Sequence, residues 1–179
     1  RNYNLRQEHF YFLCLRAYQE LNENYFEDIE EQVDRFREKH FELHTAGVSA
    51  ALYQHVLEKE FNYTIHKTDF KEYPELKSLR SVLIPEKRLL LYNAKLTEQQ
   101  KIFLFGREIG FEVLDLKKRP YTTSWVTVES FDHVINNFKA SYFAQALHLK
   151  REFMVKDLEN FFESSKFKTT FVKHLLTKY

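Results

Sequence analysis

The segment LTEQQKIFLFGREIGFEVL, residues Leu96 to Leu114, constrains this chain more than any other. Thr97 followed three residues later by Gln100 is a capping box: a hydroxyl accepts from one orphan N–H and a side-chain amide accepts from another. Beyond it the sequence is apolar on nearly every face, through Ile102, Phe103, Leu104, Phe105, Ile109, Phe111, Val113 and Leu114. A helix that is apolar all round is a buried helix. Yet Arg107 and Glu108 sit in its middle, together with Gly106 and Gly110, two of the chain's three glycines. Glycine costs about 1 kcal/mol relative to alanine inside a helix, so the pair predicts close approach by another element. A charged pair in a buried central helix marks a site, or the remains of one.

The flanking patterns predict an α+β fold, mostly helical, with a small sheet of about three strands. Tyr3 to Leu43 is helical in pattern, with apolar residues first at Phe10, Leu13, Ala17 and Leu21, then at Phe26, Ile29, Val33 and Phe36. Asn22 to Asn24 is a candidate break between two helices. Thr45 is a candidate cap for a helix from Ala46 to Glu60. Tyr63 to Thr68 alternates as a strand does. Leu79 to Ile84 and Arg88 to Asn93 read as a β-hairpin around Pro85-Glu86-Lys87, the proline pre-setting φ early in the turn, and this hairpin leads into the central helix. Arg119-Pro120 breaks the helical region, and Tyr121 to Val128 reads as a short strand or an extended loop. Phe131 to Leu149 is a strong helix. Val155 to Phe162 and Phe167 to Leu176 read as shorter ones, separated at Ser164-Ser165.

Composition excludes several classes. The 179 residues suffice for one cored domain, and 44% hydrophobic content with 17% aromatic residues argues against disorder. The net charge of +1 gives no global basic field for nucleic acid. The single cysteine, Cys14, excludes an internal disulfide and fits a reducing compartment, hence a cytoplasmic location. No apolar run approaches the ~18 residues of a membrane span, and there is no secretory signal pattern. The chain starts at Arg1 inside a helical pattern, which reads as a piece of a longer protein.

The order helix, strand, hairpin, buried helix, second helix resembles the ImmA/IrrE-type metallopeptidase-like domain, a compact gluzincin-like unit often fused to an XRE-type helix-turn-helix. In that family the hairpin leads into a helix carrying H-E-x-x-H, and a later helix brings an acidic third ligand. The stretches that carry the likeness are FGREIGF, Phe105 to Phe111, and KASYFAQALHLKRE, Lys139 to Glu152. The resemblance implies three units: an N-terminal helical segment (1–44) for linkage or dimerisation, the peptidase-like domain (45–152), and C-terminal helices packed on it (153–179).

The departures from the family pattern decide the chemistry. Zinc requires imidazole, thiolate or carboxylate donors. Arg107 stands at the first histidine position and has no lone pair to give. Phe111 stands at the second and has no donor. Asn137 aligns with the third ligand and is a poor one. Glu108, the family's general base, survives without a metal-activated water to use. The sequence therefore reads as a catalytically inactive pseudo-peptidase with no metal, no cofactor and a vestigial Glu108. Arg107 is expected to pair with Glu108, or with a group near Asn137, in place of the ion. The sharper alternative makes Arg107, Glu108, Phe111 and Asn137 a ligand site, the guanidinium taking a carboxylate or phosphate. The resemblance suggests acyl-CoA or an organic acid as effector of a homodimeric bacterial regulator. DNA would then be bound only through a helix-turn-helix outside this fragment. The competing reading is a divergent zinc peptidase in which Glu108 acts as general base with ligands such as His133 or His148.

Other constellations carry less. His40 and His44 stand one turn apart in HFELH, but a helix C-terminus favours histidine electrostatically without a metal. Cys14, in FYFLCLRAY, reads as a small buried hydrophobe. Ser124-Trp125 reads as cleft wall. Lys117-Lys118-Arg119 is an ordinary basic helix end, and Lys166 to Lys178 an amphipathic surface helix.

Overall fold

Two helices packed together at the two glycines of one of them organise the molecule. In the computed structural model, which describes residues 2–41, 49–70, 76, 78–122, 130–149, 151–163, 169–171 and 173, the element order is α1 (Asn2–Leu21), α2 (Glu27–His40), α3 (Ala50–Glu60), β1 (Thr64–Thr68), β2 (Ser81–Ile84), β3 (Leu89–Asn93), α4 (Glu98–Val113), α5 (Phe131–His148) and α6 (Arg151–Glu163). The class is α+β, mostly helical. Helix α4 begins at the capping box read from the sequence: Thr97 accepts from the Gln100 backbone, and the Gln100 side chain accepts from Thr97 N–H. Its most extensive neighbour is α5. Ile102, Leu104, Phe105, Ile109 and Phe111 are all buried.

The glycines explain that closeness. A Cβ on Gly110 would stand 3.0 Å from the Ala140 carbonyl oxygen and 3.1 Å from the Phe143 ring; one on Gly106 would stand 3.2 Å from both Ala144 Cβ and Tyr53 Cε2. The partners on α5 are themselves small, Ala140 and Ala144. Small residues on both helices let the backbones approach, and the larger Phe143 and Leu147 fill the space alongside.

The sheet has strand order β1–β3–β2, with β1 parallel and β2 antiparallel to β3. Pro85–Lys87 forms a single 3-10 turn between β2 and β3, closed by Arg88 in the left-handed region at φ 45°. Ile65, Leu83 and Leu90 enter the same core as Phe105, Ile109, Phe143 and Leu147, and Tyr92 meets Phe105 edge to face at 5.5 Å. The chain reverses between α1 and α2 where Glu23 and Asn24 take positive φ, within the expected break. Phe26, Ile29, Val33 and Phe36 are buried as their spacing predicts.

Several sequence expectations need correction. Helix α3 starts at Ala50, capped by the extended Ser49 whose side chain accepts from Leu52 N–H, four residues later than expected; Thr45 to Val48, with His44, fall outside the described residues. Helix α6 starts at Arg151, one turn before Val155. Cys14 is partly exposed rather than buried, because only one side of α1 packs on α5. Ser124-Trp125, Ser164-Ser165 and most of Lys166 to Lys178 lie outside the described residues.

Candidate functional site

Helix α4 ends in a Schellman motif, and that local event creates the site. Asp115 adopts φ 51°, Asp115 N–H donates to Glu112 O (3.2 Å) and Leu116 N–H to Phe111 O (2.9 Å). The left-handed residue turns the chain back on itself. Leu83 N–H then donates to Tyr121 O at 2.8 Å, and Thr122 bridges Val82. On the other side Lys118 pairs with Asp132 of α5, and Asn136 donates to Lys118 O. The loop between α4 and α5 is thereby fastened to β2 and to α5, and Arg119 is delivered back over the middle of α4.

Arg119 and Glu108 form a buried ion pair through Nη2 and Oε2, their side chains 7% and 2% exposed. The Arg119 guanidinium lies 3.7 Å from the Phe111 ring centre, a close cation–π contact. Tyr63, entering from just before β1, accepts from Arg119 Nη1 (3.4 Å) and donates to Glu112 (2.8 Å), with Glu108 Oε2 3.5 Å away. Glu112 in turn meets Arg88 at 3.4 Å. Burial works against the Arg119 charge, but Glu108 and Tyr63 outweigh it and hold the guanidinium above its ordinary value. Burial, then the Glu108 charge, pushes the Tyr63 hydroxyl up, so it stays a neutral donor.

Arg107 faces a different side of α4. Its Nη1 donates to Asn137 Oδ1 at 3.2 Å, while its Nη2 is 4.0 Å from Glu108 Oε1. Phe111 lies one turn on, its ring centre 5.8 Å from the guanidinium. Burial, reinforced by Arg119 and Arg80 and opposed by Glu108, lowers the Arg107 pKa. The four residues singled out from the sequence, Arg107, Glu108, Phe111 and Asn137, are thus neighbours. Arg119 was missed: read as part of a basic helix end, it is the principal partner of Glu108. The signal available was the proline after it, which fixes where the helix region stops but not where the chain goes next.

These residues do not fit a zinc ion. Arg107 and Phe111 have no lone pair, Asn137 is engaged by Arg107, and Glu108 is held by Arg119. Among the described residues no group of three or more His, Cys, Asp or Glu is arranged to hold a metal. His133 and His148 stand fifteen residues apart on α5, about 22 Å of helix, so one ion cannot take both. His148 lies at the far end near Arg37, its pKa lowered by burial and then by that charge. In this setting Glu108 is the counter-ion of a buried guanidinium.

The fold has a known counterpart. A structure described as a Mycobacterium tuberculosis transcriptional regulator superposes with a TM-score of 0.57 at 14% sequence identity, over 76% of this chain and 40% of that one. This chain spans less than half the length of that protein. Neither a protein-family model nor a curated protein matches the sequence.

Proposed function

We propose that this chain is a regulatory domain of a bacterial transcriptional regulator, built on a gluzincin-like, metallopeptidase-like fold that has lost its metal. The carrying observation is the Arg119–Glu108 pair seated on Phe111. The one carboxylate retained from the peptidase pattern neutralises a buried guanidinium, and the positions of the metal donors hold Arg107, Phe111 and Asn137. Such an arrangement keeps the shape of an active site and replaces its chemistry with an ion pair. The structural likeness to a transcriptional regulator supports the same reading. In this reading the domain senses an effector, acyl-CoA or an organic acid, or holds a homodimer together in the cytoplasm. DNA contact belongs to an XRE-type helix-turn-helix elsewhere in the parent protein.

Two measurements on the purified chain test this against the divergent-peptidase alternative. Inductively coupled plasma mass spectrometry should find no stoichiometric zinc after incubation with Zn²⁺ and desalting. Casein should remain intact with or without that metal. Stoichiometric zinc together with chelator-sensitive cleavage that Glu108→Gln abolishes would establish the peptidase instead.

A further inference from the structure

Gln100, Phe103, Leu104 and Arg107 fall at i, i+3, i+4 and i+7, one face of α4. With Leu96 and Arg80 they line a cavity of about 90 Å³. Three features of this cavity point to a ligand. Its apolar walls, Leu96, Phe103 and Leu104, surround a guanidinium that is 11% exposed. Among the described residues that guanidinium is only partly compensated: its hydrogen bond is to a neutral amide, its Nε has no acceptor, and Glu108, 4.0 Å away, is shared with Arg119. Among the described residues the buried cluster of Arg107, Arg119 and Glu108 thus carries one surplus positive charge, and Arg80, which has a partner of its own, also lines the cavity. Gln100 uses its amide oxygen on the capping box, which leaves its NH₂ as a donor at the same wall. A buried cation without a full partner is costly, and an anion in the cavity would relieve that cost.

We propose that this cavity binds a small organic carboxylate, its head group on Arg107 with Arg80 and Gln100 beside it, and its short alkyl chain against Leu96, Phe103 and Leu104. The inference rests on the regulatory reading above and narrows it to a carboxylate whose head group and first few carbons fill this cavity of about 90 Å³. The apolar walls distinguish an alkyl carboxylate from inorganic phosphate, which offers them nothing.

Isothermal titration of the whole chain with acetate, propionate, butyrate and hexanoate tests it, with butyramide and inorganic phosphate as controls. Saturable binding is expected for at least one acid, stronger than for butyramide or phosphate. Arg107→Met should weaken that acid by about tenfold or more, through loss of the charge-assisted pair. Gln100→Glu is the variant that keeps the fold, since glutamate serves the capping box equally well. It places a like charge at the cavity and should likewise weaken the acid by about tenfold or more. If no acid in the series binds, if butyramide or phosphate matches it, or if Gln100→Glu leaves the affinity unchanged, the assignment is wrong. None of those results would bring zinc or proteolysis, so failure here is distinguishable from failure of the pseudo-peptidase reading.

Discussion

Arg119 contributes through the group it would leave behind. Removing one member of a buried ion pair strands the other charge in a medium that cannot solvate it, typically at about 3–5 kcal/mol. Arg119→Met is therefore expected to destabilise the fold by roughly that amount, read as a lower urea midpoint. Glu108→Gln should cost at least as much: the amide oxygen can still accept from Nη2, but Arg107 and Arg119 are then both buried without the carboxylate they share. Arg119→Met combined with Glu108→Leu should recover most of the stability, as an apolar pair of similar volume often does. A double-mutant cycle with no coupling between the positions would show that the pair is ornamental. Half of this site was legible in the sequence. Arg107 and Glu108 stand in a helix whose burial follows from its composition, and Asn137 lies on the strongest remaining helical pattern. The other half depends on a single left-handed residue, Asp115, and aspartate carries no strong local preference for that conformation. Sequence spacing placed the acid; only the chain reversal places its base.

At the level of elements, the α4–α5 contact was written into the sequence by two glycines, and their consequences differ. At Gly110 an added methyl would meet a backbone carbonyl at 3.0 Å, and that carbonyl cannot move without moving α5. Gly110→Ala gains about 1 kcal/mol in helix propensity and loses about 1–3 kcal/mol to overpacking. The expected result is net destabilisation, with the Arg107–Asn137 contact loosened because both residues lie along the same seam. At Gly106 the nearest atoms are the Ala144 methyl and the edge of the Tyr53 ring, 3.2 Å away. Gly106→Ala should therefore cost less than Gly110→Ala, and the ranking can be read from paired denaturation curves. A reversed ranking would mean that α4 and α5 are not held at this separation. The hairpin and the capping box were equally plain, since each is set by residues within a few positions of one another. The start of α3 was misread because Thr45 and Ser49 are both good caps, and local chemistry alone does not choose between them.

At the scale of the whole molecule, the apolar spacing of α1 is real but its destination differs from that of α2. In α2 the stripe Ile29, Val33, Phe36 is buried. In α1 the packed, half-buried side is the other one: Tyr11 packs on Phe131 and Tyr18 on Phe26 and Phe138. Phe10, Leu13 and Leu21 are left 61%, 68% and 85% exposed. The surface continues past the end of α1, where Arg151 at the start of α6 hydrogen-bonds the Tyr25 hydroxyl and lies over its ring. On α6, Phe153, Val155, Leu158 and Phe162 are likewise exposed. Isolated exposed apolar residues are ordinary, but a row of them along a helix is a candidate interaction surface. This is the physical basis for the proposed homodimer. Sedimentation velocity at increasing concentration should reveal a reversible dimer. Leu13→Glu should shift the equilibrium to monomer while changing the thermal stability of the monomer by no more than about 0.5 kcal/mol, as a surface substitution does. A chain that remains monomeric at every concentration, or a dimer indifferent to Leu13→Glu, would remove α1 from the interface, leaving the proposed carboxylate site at Arg107 as the regulatory feature to be tested.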